Sequence, residues 1–257
     1  MAAAANPFDL TGRVALITGG NGGIGLGMAR GLAKAGASLV IAARNAQKTA
    51  AAIAELSALG ATCEALLVDV TDPAACREIV DATIGWFGRL DILVNNAGIA
   101  RGGRPETMSL EDWSTVLQTN LTAAMIASQA AHPIMKGQGG GKIINIGSMY
   151  AIFGAPFVPA YAASKGGVIQ LTKSLAAAWA VDNIQVNAIL PGWITTEMTA
   201  GAKGSKSFSD NIVARTPAGR WGEPEDFEGP AVFLASPASD FVTGSSLAVD
   251  GGFAISG

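Results

Sequence analysis

The sequence predicts an α/β protein built on a doubly wound, mostly parallel sheet of seven strands, and three observations lead to that class. Short apolar runs recur along the chain with helix-like stretches between them. The first run ends in a glycine turn that opens directly into a helical pattern. The length, 257 residues with 49% hydrophobic content, is enough for one large core, so we expect a single domain over residues 1–257.

Taken in order, Val14-Ala15-Leu16-Ile17-Thr18 reads as a buried strand, and Gly19 to Gly25 as the turn after it. Ile24, Met28 and Leu32 then recur at helical spacing. Leu39 to Ala43 gives the second strand, closing at Arg44, and an alanine-rich helix runs from about Ala46 to Leu59. Cys63 to Val68 is the third strand and ends at Asp69. Thr71-Asp72-Pro73 combines a cap with a proline at the first helical position, opening a helix toward Phe87. Ile92 to Asn95, Lys142 to Ile146, Ile184 to Ile189 and Leu247 to Asp250 supply four more strands. Helices between short strands imply right-handed crossovers, and ligands in such sheets sit beyond the carboxyl ends of the strands. The residues just past each strand therefore form the shortlist: Gly19 to Gly25, Asp69-Val70, Asn95-Asn96-Ala97-Gly98, Ser148 and Pro191-Gly192.

The glycine turn has the chemistry of a phosphate cradle, because bare backbone N–H groups and a helix N-terminus favour a pyrophosphate. Two frames fit it: Gly20, Gly22 and Gly25 match G-x-G-x-x-G, while Gly19, Gly23 and Gly25 match a wider Thr-Gly-x-x-x-Gly-x-Gly spacing. Ala43 followed by Arg44 offers a cation and no carboxylate where a nucleotide ribose would lie, which favours NADP over NAD; Arg44 as a loop cation that does not choose is the other reading. Tyr161 and Lys165 are one helical turn apart, putting a phenol and an ammonium on one face, although such pairs also occur on ordinary solvated helices. A neighbouring cation lowers a phenol pKa, so the pair suits proton transfer.

Other features narrow the function by exclusion. The net charge is −3, and no basic run or basic-aromatic interleaving suggests nucleic acid. The stretch Met1-Ala2-Ala3-Ala4-Ala5-Asn6-Pro7 lacks a signal-peptide pattern and no later run is long enough for a membrane span, so a soluble cytoplasmic protein with no membrane partner is expected. Two cysteines, Cys63 and Cys76, and a lone His132 before Pro133 give no metal site; His132 reads as a residue near a helix end.

From about Leu10 to Phe253 the chain resembles the short-chain dehydrogenase/reductase family. The resemblance is carried by Thr18-Gly19-x-x-x-Gly23-Ile24-Gly25, Asp69-Val70, Asn95-Asn96-Ala97-Gly98, Asn120, Ser148, Tyr161-x-x-x-Lys165, Pro191-Gly192 and Asp250-Gly251-Gly252. It implies a Rossmann-type fold, the Gly19-Gly23-Gly25 frame, and a catalytic tetrad of Asn120, Ser148, Tyr161 and Lys165. In that tetrad Ser148 would steady a developing oxyanion and Tyr161 would pass the proton. Lys165 would lower the tyrosine pKa and bind the nicotinamide ribose, and Asn120 would sit at a helix kink. Cofactor contacts are implied at Gly19, Asn21, Gly23, Ile24, Gly25 and Arg44, at Asp69 and Val70 for adenine, and at Asn95, Ala97 and Gly98 for the adenosine ribose. Pro191, Gly192, Ile194 and Thr196 would face the nicotinamide end, together with Tyr161 and Lys165. Thr18 and Asn95 have a second reading as turn stabilisers.

The resemblance further implies hydride transfer between NAD(P)(H) and a secondary alcohol or ketone, with no metal, and a homotetramer using the helix from about Tyr161 to Ala180 and the final strand. The stretch Gly219-Arg220-Trp221-Gly222-Glu223-Pro224-Glu225-Asp226 is similar to sugar and sugar-acid dehydrogenases such as gluconate 5-dehydrogenases, but also to 3-oxoacyl carrier-protein reductases. A nucleotide-binding regulator that has lost the chemistry is the alternative of another class. Substrate choice is expected from Ile99 to Pro105, Met149 to Ala160, and a flap from Trp193 to Arg215 anchored by Trp193 and Phe208. Arg101, Arg104, Lys203 and Lys206 could bring positive charge to the pocket mouth and favour anionic or polyhydroxylated substrates; surface cations with no shared target are the other reading.

Overall fold

In the computed structural model, which describes residues 6–256, seven strands form one sheet in the order β3-β2-β1-β4-β5-β6-β7. The strands are β1 (Val14–Thr18), β2 (Ser38–Ala43), β3 (Cys63–Leu67), β4 (Ile92–Asn95), β5 (Gly141–Ile146), β6 (Ile184–Pro191) and β7 (Ser246–Val249). Every pairing among the described residues is parallel, in keeping with the mostly parallel seven-stranded sheet the sequence predicts. The reading of the N-terminal stretch as leaderless falls mostly on residues 1–5, outside the described residues. No described helix is long and apolar enough to cross a membrane.

Alternation along the strands sorts the core into two layers. Ala15, Ile17, Leu39, Ile41, Ile92 and Val94 meet α1 (Gly23–Lys34), α2 (Ala46–Ala58) and α9 (Glu228–Ala235) through Met28, Leu32, Leu56 and Leu234. Leu16, Val40, Leu93, Ile143 and Val186 point the other way, against α3 (Pro73–Phe87), α5 (Ala123–Gly137) and α6 (Pro159–Trp179). The Asp72 carboxylate accepts from the Ala74 N–H at 2.8 Å, and Pro73 follows at the first helical position, as the sequence predicts.

α1 packs tightly because it is small. A Cβ at Gly27 would lie 2.0 Å from the Pro224 carbonyl oxygen, so the two segments touch backbone to backbone. His132 is not near a helix end: α5 continues through Pro133 to Gly137, and the imidazole stacks on Trp179 and bonds Asp182 at 2.9 Å.

The sheet changes winding direction between β1 and β4. β1 pairs with β2 from Val14↔Ser38 and with β4 from Ala15↔Ile92, and the chain leaves those two central strands toward opposite faces. That divergence opens a crevice above their carboxyl ends, which is where a doubly wound sheet holds a ligand.

Candidate active site

The crevice is a cleft of about 400 Å³ lined by the glycine turn, by Asn96, Ala97 and Gly98 after β4, by Ser148, Tyr161 and Lys165, by Pro191 at the end of β6 and by Gly192, Ile194 and Thr196 after it. Its other end, past β2 and β3, is bounded by Arg44, Asp69, Val70 and Ala97. Residues shortlisted because they follow strands are thus gathered at one edge of the sheet.

The turn decides between the two glycine frames. Gly19 and Gly23 have φ of +66° and +51°, and a Cβ at Gly25 would strike the Gly19 carbonyl oxygen at 2.3 Å. Gly22 is extended and meets nothing within 4 Å, so it is not a required glycine of the turn. Thr18 ties this turn to the neighbouring strand: its Oγ1 accepts the Asn96 and Ala97 N–H groups at 3.0 and 3.1 Å. The Asn96 side-chain amide donates to the Thr18 and Gly19 carbonyls, both at 3.0 Å.

Asn95 differs from its neighbours in the direction of its side chain. Its side chain does not reach the cleft but turns inward, donating to Ser128 Oγ at 3.0 Å and to Asn145 Oδ1 at 2.8 Å. The reason is strand parity: Asn95 lies on the same face as Leu93, under α5, and so only Asn96 is free to face the turn. That signal is present in the sequence.

Tyr161 and Lys165 lie one turn apart on α6 and face the same way, the ammonium 5.5 Å from the phenol ring centroid. Lys165 is buried and donates to the Ile146 carbonyl at 2.6 Å, and burial pulls its pKa down to about 8. The tyrosine departs from expectation. Burial pushes its phenol pKa up, with the Ser148 hydroxyl opposing. Ser148 caps a short turn at Met149–Ala151 by accepting the Tyr150 N–H at 3.2 Å, which holds its hydroxyl at the cleft wall.

Asn120 is behind the cleft, in a wider π turn at Gln118–Thr122 that joins α4 (Leu110–Leu117) to α5. Its amide clamps Ile99, accepting its N–H at 2.8 Å and donating to its carbonyl at 2.9 Å, and also donates to Ser164 Oγ at 3.0 Å. The extra residue in the π turn rotates this side chain out of the regular helical ladder, so that it serves tertiary partners.

At the nucleotide end, Arg44 stands 3.5 Å from Asp69 and stays largely exposed. The Asp69 carboxylate accepts the Thr71 N–H and hydroxyl, and these hold its pKa low with help from Arg44. Lys48 and Glu197 were not expected; they pair across the cleft mouth from α2 and the segment after β6. Only the tertiary structure brings them together, because 148 residues separate them and neither belongs to a motif.

The segment after β6 is more regular than its composition suggests, forming α7 (Ala200–Gly204) and α8 (Lys206–Arg215). Its anchors do meet: the Trp193 and Phe208 rings are 5.1 Å apart, and Trp221 closes the cluster at 5.6 Å from Trp193. Arg101, Arg104, Lys203 and Lys206 pair with Asp112, Glu106, Glu223 and Asp210 respectively, and none lines the cleft. Cys76 is buried, with its pKa raised to about 11, and no group of three metal-binding side chains exists among the described residues.

Comparison with known proteins agrees with this geometry. A family model described as Enoyl-(Acyl carrier protein) reductase matches residues 19–254. A 2-dehydro-3-deoxy-D-gluconate 5-dehydrogenase of Dickeya dadantii is 44% identical, over 96% of this chain and 98% of the relative. A gluconate 5-dehydrogenase of Gluconobacter oxydans is 42% identical over 97% of each. Among solved structures, a gluconate 5-dehydrogenase from Burkholderia cenocepacia in complex with NADP and tartrate superposes with a TM-score of 0.94 at 42% identity, covering 99% of this chain and 100% of that one.

Proposed function

Because the chain belongs to the short-chain dehydrogenase/reductase family, as an NAD(P)-dependent oxidoreductase acting on a CH-OH group, we propose that it interconverts a sugar acid or polyol with its ketone, using NADP(H) in preference to NAD(H). One observation carries the reading: Ser148, Tyr161 and Lys165 share a single cleft with the glycine turn. Support for the substrate class comes from the relatives named for gluconate and dehydro-deoxygluconate, and for NADP from the Burkholderia structure.

The residues fit a dinucleotide. Gly22 lines the cleft with nothing within 4 Å of its Cβ position, leaving bare backbone beside the start of α1, where the helix N-terminus favours phosphate. Gly19, Asn21, Gly23, Ile24 and Gly25 would hold the pyrophosphate, and Arg44 the 2′-phosphate. Asp69, Val70, Ala97 and Gly98 would flank the adenosine, and Pro191, Gly192, Ile194 and Thr196 the nicotinamide end. When bound, the nicotinamide supplies or takes up the hydride.

The chain's own groups do the rest. Ser148 donates to the substrate oxygen and steadies negative charge there as the carbonyl is reduced. Tyr161 gives that oxygen its proton, or takes one when the alcohol is oxidised. The Lys165 ammonium, 5.5 Å from the phenol ring centroid, favours the phenolate when the alcohol is oxidised. Asn120 fixes Ile99 and Ser164 and so holds the wall behind Lys165. The segment from Trp193 to Arg215 acts as a flap over the substrate, hinged on the Trp193–Phe208 contact.

We extend the reading to a cytoplasmic homotetramer. The free thiols of Cys63 and Cys76 suit a reducing compartment, and the exposed Leu110, Val181, Phe241 and Ile255 suit subunit contacts. Light scattering reads the assembly directly.

The test follows nicotinamide absorbance with both cofactors on D-gluconate, its keto acids, neutral polyols and an acetoacetyl thioester, with Tyr161→Phe as control. Turnover of the sugar acids, falling about 100-fold or more in Tyr161→Phe, is expected. Turnover confined to the thioester would select an acyl reductase, and cofactor binding without any turnover would select a regulator.

A further inference from the structure

The ion pair of Lys48 and Glu197 joins two walls of the nucleotide region. Lys48, in the first turn of α2, borders both the main cleft with the glycine turn and the adenosine end with Arg44 and Asp69. Glu197 opens the short turn Glu197–Thr199 that leads into α7, and of these two cavities it borders only the main cleft. The root of Lys48 is fixed: Asn45 Oδ1 accepts its backbone N–H at 2.9 Å, and Asn21 of the glycine turn donates to Thr49 Oγ1 at 3.0 Å. The Glu197 segment is braced as well, since Thr199 Oγ1 accepts the Thr196 N–H at 3.1 Å and the Thr196 methyl lies 3.1 Å from where a Cβ would stand at Gly23. Only the two side chains are free to move, and they are 44% and 82% exposed.

Arg44 by itself is an incomplete site for a phosphate dianion. Its guanidinium stands 3.5 Å from Asp69, and that carboxylate is held by the Thr71 N–H and hydroxyl, so it stays in place when a nucleotide arrives. One guanidinium offset by one carboxylate leaves little net positive charge, and Lys48, on the wall of the same cavity, supplies the missing charge once it leaves Glu197. An ion pair as open to water as Lys48 and Glu197 holds weakly, whereas a phosphate dianion between two cations forms charge-assisted bonds. The lysine therefore gains more from the phosphate than it loses with the carboxylate.

We propose that Lys48 is the second cation of the 2′-phosphate site and that Glu197 competes with the phosphate for it, so that this pair sets how strongly NADP is preferred over NAD. NAD carries no group that would draw Lys48 from Glu197, and the exchange of partners is made for NADP alone. The proposal rests on the NADP reading.

Calorimetric titration of the full-length protein with NADP and with NAD, at one ionic strength, gives both Kd values for the wild type, Lys48→Gln, Lys48→Arg, Glu197→Gln and the double variant Lys48→Gln/Glu197→Gln. In Lys48→Gln the NADP-to-NAD affinity ratio is expected to fall about 10-fold, the range of one charge-assisted hydrogen bond, and Lys48→Arg should keep most of it. Glu197→Gln should raise the ratio about two- to fivefold, the span of an exposed ion pair, and this gain should vanish when Lys48 is already glutamine. Equal losses for both cofactors in Lys48→Gln would put the lysine on the pyrophosphate and overturn the proposal. A Glu197→Gln gain that persists in the double variant would mean that the carboxylate acts through its field rather than through Lys48, and would overturn it too. A ratio unchanged in Lys48→Gln while NADP stays preferred would overturn the proposal alone, whereas a wild type that binds NAD as tightly as NADP would overturn the NADP reading and the proposal with it.

Discussion

Replacing Lys165 by methionine should change not only activity but the way stability responds to pH. Lys165 is 4% exposed, its ammonium donates only to the Ile146 carbonyl, and burial lowers its pKa from 10.5 to about 8. Between those two values the unfolded chain binds more protons at this position than the folded one does, so the lysine makes stability rise with pH across that window. Below about 8 the charged form is buried and the penalty is in full force; above 10.5 both states are neutral and it is gone. At about 1.4 kcal/mol per pKa unit, the whole effect is on the order of 3 kcal/mol. Urea unfolding of wild type and Lys165→Met without cofactor, at pH 7 and pH 10.5 and at one protein concentration, isolates it, since other titrations are shared by both proteins. The stability difference should move toward the wild type by about that amount on raising the pH. Parallel pH dependences would refute the reasoning and mean that the ammonium is solvated or paired in the folded chain.

Two further outcomes follow from the nucleotide end and from the packing of α1. Arg44→Ala should raise KM for NADP about tenfold more than KM for NAD, measured by steady-state kinetics with saturating substrate; equal changes would mean that the guanidinium serves only Asp69. Gly27→Ala should cost about 2 kcal/mol or more in urea unfolding, because the new Cβ would sit 2.0 Å from the Pro224 carbonyl oxygen and that backbone has no side chain to move aside.

Much of the site was legible because strand ends and chemistry coincide in this architecture. Gly19, Gly23 and Gly25, Ser148, and Pro191-Gly192 all end or follow strands, and all reach the cleft. Tyr161 and Lys165 are linked by helical spacing alone, and the structure keeps them on one face. Parity along β4 turns the Asn95 side chain inward and the Asn96 side chain toward the glycine turn, a difference that a motif read as a string loses. The glycine- and serine-rich composition of the flap segment carries weak helical propensity, yet it contains α7 and α8, because packing of Phe208 and Ile212 on the Trp193 and Trp221 cluster outweighs it.

The sequence by itself determined the alternation of strands and helices and the glycine turn, since these depend on periodicity and short spacings that the chain carries locally, while its resemblance to the family implied the four candidate tetrad positions. Tertiary structure decided which charges matter. Arg101, Arg104, Lys203 and Lys206 find carboxylates, Lys48 meets Glu197 across the cleft, Lys165 spends its hydrogen bond on Ile146, and Arg215 is left between aromatic rings with no described carboxylate partner. Pairing and desolvation are set by neighbours distant in the chain, and both control how strongly a charge acts. A list of cations in loops therefore holds no information about which of them is free to bind.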